Sequence, residues 1–221
     1  MDMIYTIVEF FQKGGPFMWP IGIVLIVGLV VAIERFLYLS YAKASNKRAF
    51  NRIMPFLQKK NYKDVVAFGQ SSKAPIARII AAGIARMSIS PRREDIELAM
   101  EEGVLEAMPR LEKRTPYLAT LANIATLLGL LGTIIGLIAA FTAVADADPT
   151  EKATQLSQSI SVAMNTTAFG LISAIPLLML HAFLQSKTTE IVDSLEMGAV
   201  KCLNLMASAR LASSTSTRVD D

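Results

Sequence analysis

The feature that most constrains this chain is an uncharged run at 115–145, whose centre is LLGLLGTIIGLIAAF at 127–141. At about 1.5 Å of rise per residue, the run exceeds the roughly 20 residues that a helix needs to cross the hydrocarbon core of a membrane. The 221 residues are 52% hydrophobic, which is too apolar for an ordinary soluble domain. The sequence therefore predicts an all-α integral membrane protein.

Two further apolar stretches predict two more transmembrane helices. The spans are expected at 16–39, 118–145 and 159–184. Trp19 marks a membrane–water interface at the start of the first span. Near its other end, Arg35 can extend its guanidinium toward water, and we expect Glu34 to pair with a basic neighbour rather than to carry ions.

The remaining segments are shorter or more polar. The predicted order is an amphipathic N-terminal helix on the membrane surface at 1–15, a helical domain at 40–117, an acidic loop at 146–158, a C-terminal helix at 185–212 and a disordered tail at 213–221.

Within 40–117 the sequence predicts several helices. Short helices at 51–58 and 62–70 flank a turn at 59–62, and a third helix begins after Pro75. Ser90 is expected to cap a fourth helix, with Pro91 in its first turn. The fourth helix mixes acidic and basic residues, which indicates either a solvated face or a docking face for a partner.

The distribution of basic residues predicts the orientation. Most of the 22 lysines and arginines lie between 40 and 117, whereas the loop at 146–158 has only Lys152. Since cytoplasmic segments carry an excess of lysine and arginine, the domain at 40–117 is expected in the cytoplasm. Three spans then place the N-terminus and the loop at 146–158 on the outer side of the membrane and the C-terminus in the cytoplasm.

Small residues form one stripe along the second span. The stripe consists of Ala119, Ala122, Thr126, Gly129, Thr133, Gly136 and Ala140, with Gly132 close by. Such stripes let membrane helices approach closely. The periodicity does not distinguish packing alone from threonines, Thr126 and Thr133, that face a polar lumen.

The third span contains polar residues that need partners in the membrane. Asn165, Thr166 and Thr167 lie within an apolar run. A small-residue stripe joins Ala163 and Thr167 to Gly170, and Pro176 is expected to bend the helix. Either these groups form hydrogen bonds between helices, or hydroxyls from two spans, Thr133 and Thr167, line one ion path.

Titratable groups are missing from the deep parts of the second and third spans. His181 lies near the predicted cytoplasmic end, where we expect a hydrogen-bonded interfacial histidine. Ser173 and His181 are about 12 Å apart along one helix, too far for a nucleophile–base pair. The sequence contains no phosphate-binding loop or dinucleotide motif, and one Cys and one His do not make a zinc site. We therefore expect no enzyme activity, no cofactor and no nucleic-acid partner.

Three segments resemble the MotA/TolQ/ExbB family of membrane proteins. They are LEKRTPYLATLANIATLLG, GLLGTIIGLIAAF and NTTAFGLISAIP. Three spans with one long cytoplasmic segment resemble the ExbB/TolQ branch. The resemblance implies a homopentamer around the transmembrane helices of two copies of an ExbD/TolR-like partner, which would supply the missing aspartate. It matches the family's pore threonines to Thr133 and Thr167.

One departure from the family pattern concerns the transported ion. Proton-driven members commonly have a glutamate five residues before the third-span threonine, and here that position is Val162. H⁺ and Na⁺ therefore both stay open. The resemblance implies a motor and ion channel that energises TonB-dependent transport through a TonB-like protein. A TolQ-like role in envelope integrity with a TolA-like protein, or a membrane scaffold without ion flow, are the alternatives.

Overall fold

The computed structural model describes residue 11 and residues 14–146 and 150–216, and all regular secondary structure in them is α-helical. The helices are α1 Met18–Gln58, α2 Tyr62–Ser71, α3 Pro75–Ile89, α4 Arg93–Glu112, α5 Thr115–Asp146 and α6 Lys152–Ser216. The all-α prediction is confirmed. Most of the predicted N-terminal helix at 1–15 lies outside the described residues.

Among the residues that the structure describes, three helical stretches are long and apolar enough to cross a membrane. They are Met18–Gln58, Arg93–Ala145 and Lys152–Ser208. Large apolar side chains such as Ile26, Leu127 and Met179 are exposed on them. Exposed apolar surface of this extent fits lipid or a neighbouring protein rather than water.

Two helices extend beyond the segments predicted from the sequence. The residues at 51–58 are the end of α1 rather than a separate helix, because neither Gly nor Pro interrupts 40–54 and Pro55 lies in the last turn. The helix α6 is continuous over 65 residues. It starts at Lys152, so the predicted loop at 146–158 is too long, and it ends at Ser216, inside the tail predicted at 213–221.

The start of α4 also differs from the prediction. Arg92, not Ser90, occupies the N-cap position, and no side chain caps the helix there. Ser90 instead ends α3, where its backbone N–H donates to the Arg86 carbonyl at 2.9 Å. The Ser90 hydroxyl donates to the Asp95 carboxylate in the first turn of α4. The serine therefore links the two helices across the turn.

The chain divides into two compact units, of which the first contains Met1–Arg35 and Arg114–Leu184. In this unit α5 and α6 run antiparallel, since Gly129 lies against Gly170 and Gly136 against Ala163. The apolar part of α1 packs on α6 at Gly28, where a Cβ would lie 2.5 Å from a methyl group of Leu177. Small residues thus set the helix contacts of this unit, as is usual in membranes.

The second unit contains Phe36–Lys113 and Gln185–Asp221. Its centre is α3, whose isoleucines Ile76, Ile79, Ile80 and Ile84 are buried. Asn46 on α1 accepts a hydrogen bond from the Ile76 N–H at 3.2 Å, and so satisfies a backbone donor in the first turn of α3. On one side of this unit, Lys187 of α6 donates to the Ser40 hydroxyl of α1 at 2.9 Å.

Candidate functional site

Thr133 of α5 and Thr167 of α6 face each other, and their hydroxyls are joined by a hydrogen bond. Thr167 Oγ1 donates to the Gly129 carbonyl oxygen at 2.9 Å, and Thr133 Oγ1 lies 3.2 Å from the same oxygen. Both threonines are half-buried. Each hydroxyl oxygen has two lone pairs, most of which remain free here to accept from water or to contact a cation.

Two glycines make this approach possible. A Cβ on Gly129 would lie 3.2 Å from the Gly170 Cα, and a Cβ on Gly170 would lie 2.8 Å from the Ala125 carbonyl oxygen. The α5 and α6 backbones are therefore in contact at this point. Because threonine is short, its hydroxyl reaches across to the other helix only where the backbones are this close.

The glycines further along α5 receive side chains from α6. A Cβ on Gly132 would lie 2.4 Å from the Thr166 methyl group, and a Cβ on Gly136 would lie 2.9 Å from the Ala163 Cβ. Ala163 itself is 1% exposed. The small residues that the sequence assigns to packing thus lie in the α5–α6 contact, with Pro176 as the exception because it is exposed.

Thr166 points away from the Thr133–Thr167 pair. Its hydroxyl lies 2.6 Å from the Gly14 carbonyl oxygen and 3.0 Å from the Val162 carbonyl oxygen, and the residue is 2% exposed. The hydroxyl therefore ties α6 to the turn that precedes α1. Nothing in the sequence links Gly14 to a residue 152 positions later, so this contact could not be predicted.

Asn165 and Thr126 also lie apart from the hydroxyl pair. Successive residues of a helix are about 100° apart, so Asn165, Thr166 and Thr167 cannot share one face. Thr126 is exposed two turns from Thr133, and its hydroxyl donates to the Ala122 carbonyl at 3.1 Å. Of the five residues predicted for the ion path, the structure brings together only Thr133 and Thr167.

Charged residues gather at one end of the first unit. Arg114 Nη1 lies 3.4 Å from Glu34 Oε2, which confirms that Glu34 pairs with a basic neighbour. The expectation that Arg35 extends toward water is wrong, because the residue is 2% exposed and its Nε donates to the Thr115 hydroxyl at 3.3 Å. Arg114 has a φ of 68°, in the left-handed region, where the chain turns from α4 into α5. These contacts anchor the end of α1 to the start of α5.

The membrane-spanning parts of α5 and α6 contain no charged residue. Neither the run at 115–145 nor the run at 153–186 contains Asp, Glu, Lys or Arg, and His181 is half-buried. Hydroxyl groups can solvate or relay an ion but do not carry a titrating charge at neutral pH. The uncharged runs of α5 and α6 therefore provide no carboxylate at the level of the hydroxyl pair.

Comparison with known proteins identifies the family. The model of the MotA/TolQ/ExbB proton channel family matches residues 71–197, more than half of the chain. The match includes α5 and the part of α6 that holds Thr167.

Individual relatives agree with this match. A biopolymer transport protein ExbB homolog of Methanothermobacter thermautotrophicus is 27% identical over 98% of this chain and 75% of its own length. The biopolymer transport protein exbB1 of Vibrio cholerae is 28% identical over 75% of this chain and 73% of its own length. The Tol-Pal system protein TolQ of Haemophilus influenzae is 36% identical, over 38% of this chain and 36% of its own length.

The three apolar helices and these relatives indicate a multi-pass protein of the inner membrane. The expected resemblance to the ExbB/TolQ branch is confirmed. This chain belongs to the MotA/TolQ/ExbB proton channel family.

Proposed function

We propose that this chain is an ion-channel and motor subunit that couples an ion gradient across the inner membrane to TonB-dependent transport at the outer membrane. The observation that carries the proposal is the Thr133–Thr167 hydroxyl pair, half-buried between the uncharged runs of two helices in a chain of a proton channel family. Preorganised hydroxyl oxygens can replace part of the hydration shell of an ion or position a relay water.

The missing carboxylate defines the partner. An ion path through a membrane usually contains an ionisable group, and the deep parts of α5 and α6 have none. An ExbD/TolR-like protein with one transmembrane helix and an aspartate would supply it, and a TonB-like protein would receive the work. The likeness to biopolymer transport proteins of the ExbB type supports this choice.

The assembly is a homopentameric ring, with the second and third spans around the partner's helices and the first span outside. Its support is the half-buried state of Thr133 and Thr167 within one chain, since a polar face left open in the membrane needs water or a partner. The domain at 40–117 lies in the cytoplasm, as its excess of basic residues favours.

A TolQ-like role in envelope integrity is the second candidate. It is favoured by the 36% identity to the Haemophilus influenzae TolQ protein, although that similarity covers a smaller part of the chain than the ExbB-type matches. Expression of this chain with its partner in cells that lack either their ExbB-type or their TolQ-type protein distinguishes the two roles. Rescue of the TonB-dependent transport defect alone supports our assignment, and rescue of the envelope defect alone contradicts it.

The channel itself is tested by ion flux in liposomes. We expect flux when the chain is reconstituted with its ExbD/TolR-like partner and none when the partner's aspartate is replaced by asparagine. Flux that needs no partner would contradict the proposal. Since Val162 replaces the glutamate of proton-driven members, replacing Na⁺ by K⁺ at a fixed proton-motive force decides between H⁺ and Na⁺.

A further inference from the structure

The second unit contains a basic pocket outside the Thr133–Thr167 site, formed by α1, α3, α4 and the connection between α2 and α3. Its volume is about 410 Å³, within the range of small-molecule binding sites. Three basic side chains surround it, Lys73, Arg78 and Arg110, with Glu106 as the one acidic residue. The pocket therefore has an excess of positive charge.

The positive charges of two of the basic side chains are not neutralised by an acidic residue of the pocket. Arg78 Nη2 lies 3.7 Å from Glu106 Oε1, so the single acid is already matched by one base. Lys73 and Arg110 have no ion pair or side-chain hydrogen bond with any part of the chain that the structure describes. Both are exposed. A ligand that neutralises them must be anionic, and guanidinium and ammonium groups together are typical of phosphate sites.

The floor of the pocket is apolar. Ile79 and Leu111 are each 1% exposed, and Ala42 is 8% exposed. The basic residues Lys73, Arg78 and Arg110 lie around this floor. The arrangement fits an amphiphile, because the floor can contact hydrocarbon or glycerol atoms while the basic residues bind the anion. A highly charged soluble anion would gain nothing from that floor.

The pocket also lies close to the membrane along the chain. Tyr38 and Tyr41 line it, and they lie on either side of residue 39, the predicted end of the first span, on the same continuous helix. The lining part of α1 ends about 10 Å past residue 39, at about 1.5 Å of rise per residue. The lipid headgroup layer covers roughly the first 5–7 Å of that distance, so most of the lining part of α1 lies at headgroup level. Tyrosine is enriched at this level, and Tyr41 is 69% exposed.

From this combination we propose that the pocket binds the phosphate group of an anionic phospholipid, phosphatidylglycerol in the test below. Lys73 and Arg110 hold the phosphate, Arg78 adds a third donor group, and the apolar floor receives the glycerol region. Inorganic phosphate is the other source of the same chemistry. Basic pockets between membrane helices bind lipid headgroups through the same charge pairing.

The test uses the purified full-length protein in detergent, with the phosphatidylglycerol retained per subunit measured by native mass spectrometry and compared with phosphatidylcholine. We expect preferential retention of phosphatidylglycerol. In a Lys73→Gln, Arg110→Gln variant its affinity falls about 25-fold, since each basic side chain near the surface contributes roughly fivefold, while retention of phosphatidylcholine does not change. A Lys59→Gln, Arg86→Gln control removes two exposed cations that do not line the pocket and leaves both lipids unaffected.

A second variant tests the pocket without removing any base. Ala82 lines it and is exposed, so Ala82→Glu adds a carboxylate without disturbing the core and should also lower phosphatidylglycerol retention. Equal retention of the two lipids by the wild type, or unchanged retention in both variants, overturns the proposal. Displacement of the lipid by millimolar inorganic phosphate would assign the site to free phosphate instead and also overturn the lipid assignment.

Discussion

Gly129 of α5 and Gly170 of α6 touch through their backbones, with 3.0 Å between a Cβ built on Gly170 and the Gly129 Cα. This contact sets the distance between the two helices. It is also what lets Thr133 and Thr167 share a hydrogen bond. The geometry of the candidate site thus depends on two residues that have no functional group.

Replacing Gly170 with alanine should therefore damage both packing and function. The new methyl group would meet the Ala125 carbonyl oxygen at 2.8 Å, which is backbone and cannot move without shifting α5. We expect a loss of about 1–3 kcal/mol in the free energy of unfolding, measured by denaturation in detergent. Gly22→Ala is the control, because its nearest contact is an ordinary one at 3.7 Å. Equal stability of both variants would show that α5 and α6 are not held this closely.

Replacing Ser173 with alanine, in contrast, should not lower the stability of the protein. Its side chain is fully buried, and its hydroxyl has no hydrogen-bond partner among the described residues. Removing an unsatisfied buried hydroxyl while keeping the Cβ should cost nothing or stabilise the protein by about 1 kcal/mol. We expect a Ser173→Ala variant to unfold at the same or a higher denaturant concentration. A clear loss of stability would mean that the hydroxyl has a partner in the assembled protein.

The orientation can be measured with introduced cysteines. A cysteine at Thr150 should react with a membrane-impermeant maleimide added from the periplasmic side, and a cysteine at Ser71 should react only after the membrane is opened. Both residues are exposed. The reverse pattern would contradict the proposed cytoplasmic location of the domain at 40–117.

The single native cysteine should not interfere with that measurement. Cys202 is buried, and burial raises the pKa of its thiol from 9.0 to about 12. Since the thiolate is the reactive form, we expect no labelling of the folded protein at pH 8 and complete labelling in denaturant. Rapid labelling of the native protein would contradict this burial.

The same pKa shift makes stability depend on pH. The folded pKa lies above the unfolded one, so the thiol's contribution is present below about pH 9 and is lost as the pH rises from 9.0 to about 12. A Cys202→Ala variant lacks this group, and its stability should fall less steeply over that range than that of the wild type. Identical slopes would show that the thiol is solvated.

The sequence predicted the positions of the helices better than the contacts between them. The uncharged run at 115–145 and the apolar stretches around it exceed the length of a membrane span, and length and composition alone decide that point. A segment that contains neither Gly nor Pro can continue a helix beyond the membrane. The segment 40–54 is of this kind, so α1 passes residue 39 and ends only at Gln58, shortly after Pro55.

At the candidate site, too, the sequence predicted which residues share a helix face but not which residues they contact. The period of α5 placed Gly129 and Thr133 on one face, and the polar cluster of the third span offered Thr167 as a second hydroxyl. The family resemblance then matched both threonines to pore positions. Periodicity does not reveal which residue of another helix a side chain meets, so the hydrogen bonds from Thr166 to Gly14 and from Arg35 to Thr115 were not predicted. Both link residues far apart in the chain, and only the packing of the first unit brings them together.

The central claim is that Thr133 and Thr167 form part of the ion path, and their joint replacement by valine tests it most directly. Valine keeps the shape of threonine without the hydroxyl, and a lost hydrogen bond in a membrane costs only about 0.6–2 kcal/mol, so the double variant should still assemble with its partner. Thr142→Val is the matched control, since that exposed hydroxyl donates to the Ile138 carbonyl of its own helix, at 3.0 Å, and to no other group in the described part of the chain. The measurement is energised transport in cells, with assembly checked by native mass spectrometry. We predict that the double variant assembles but loses transport while the control keeps it; a double variant that assembles and transports normally would show that the two threonines serve packing alone.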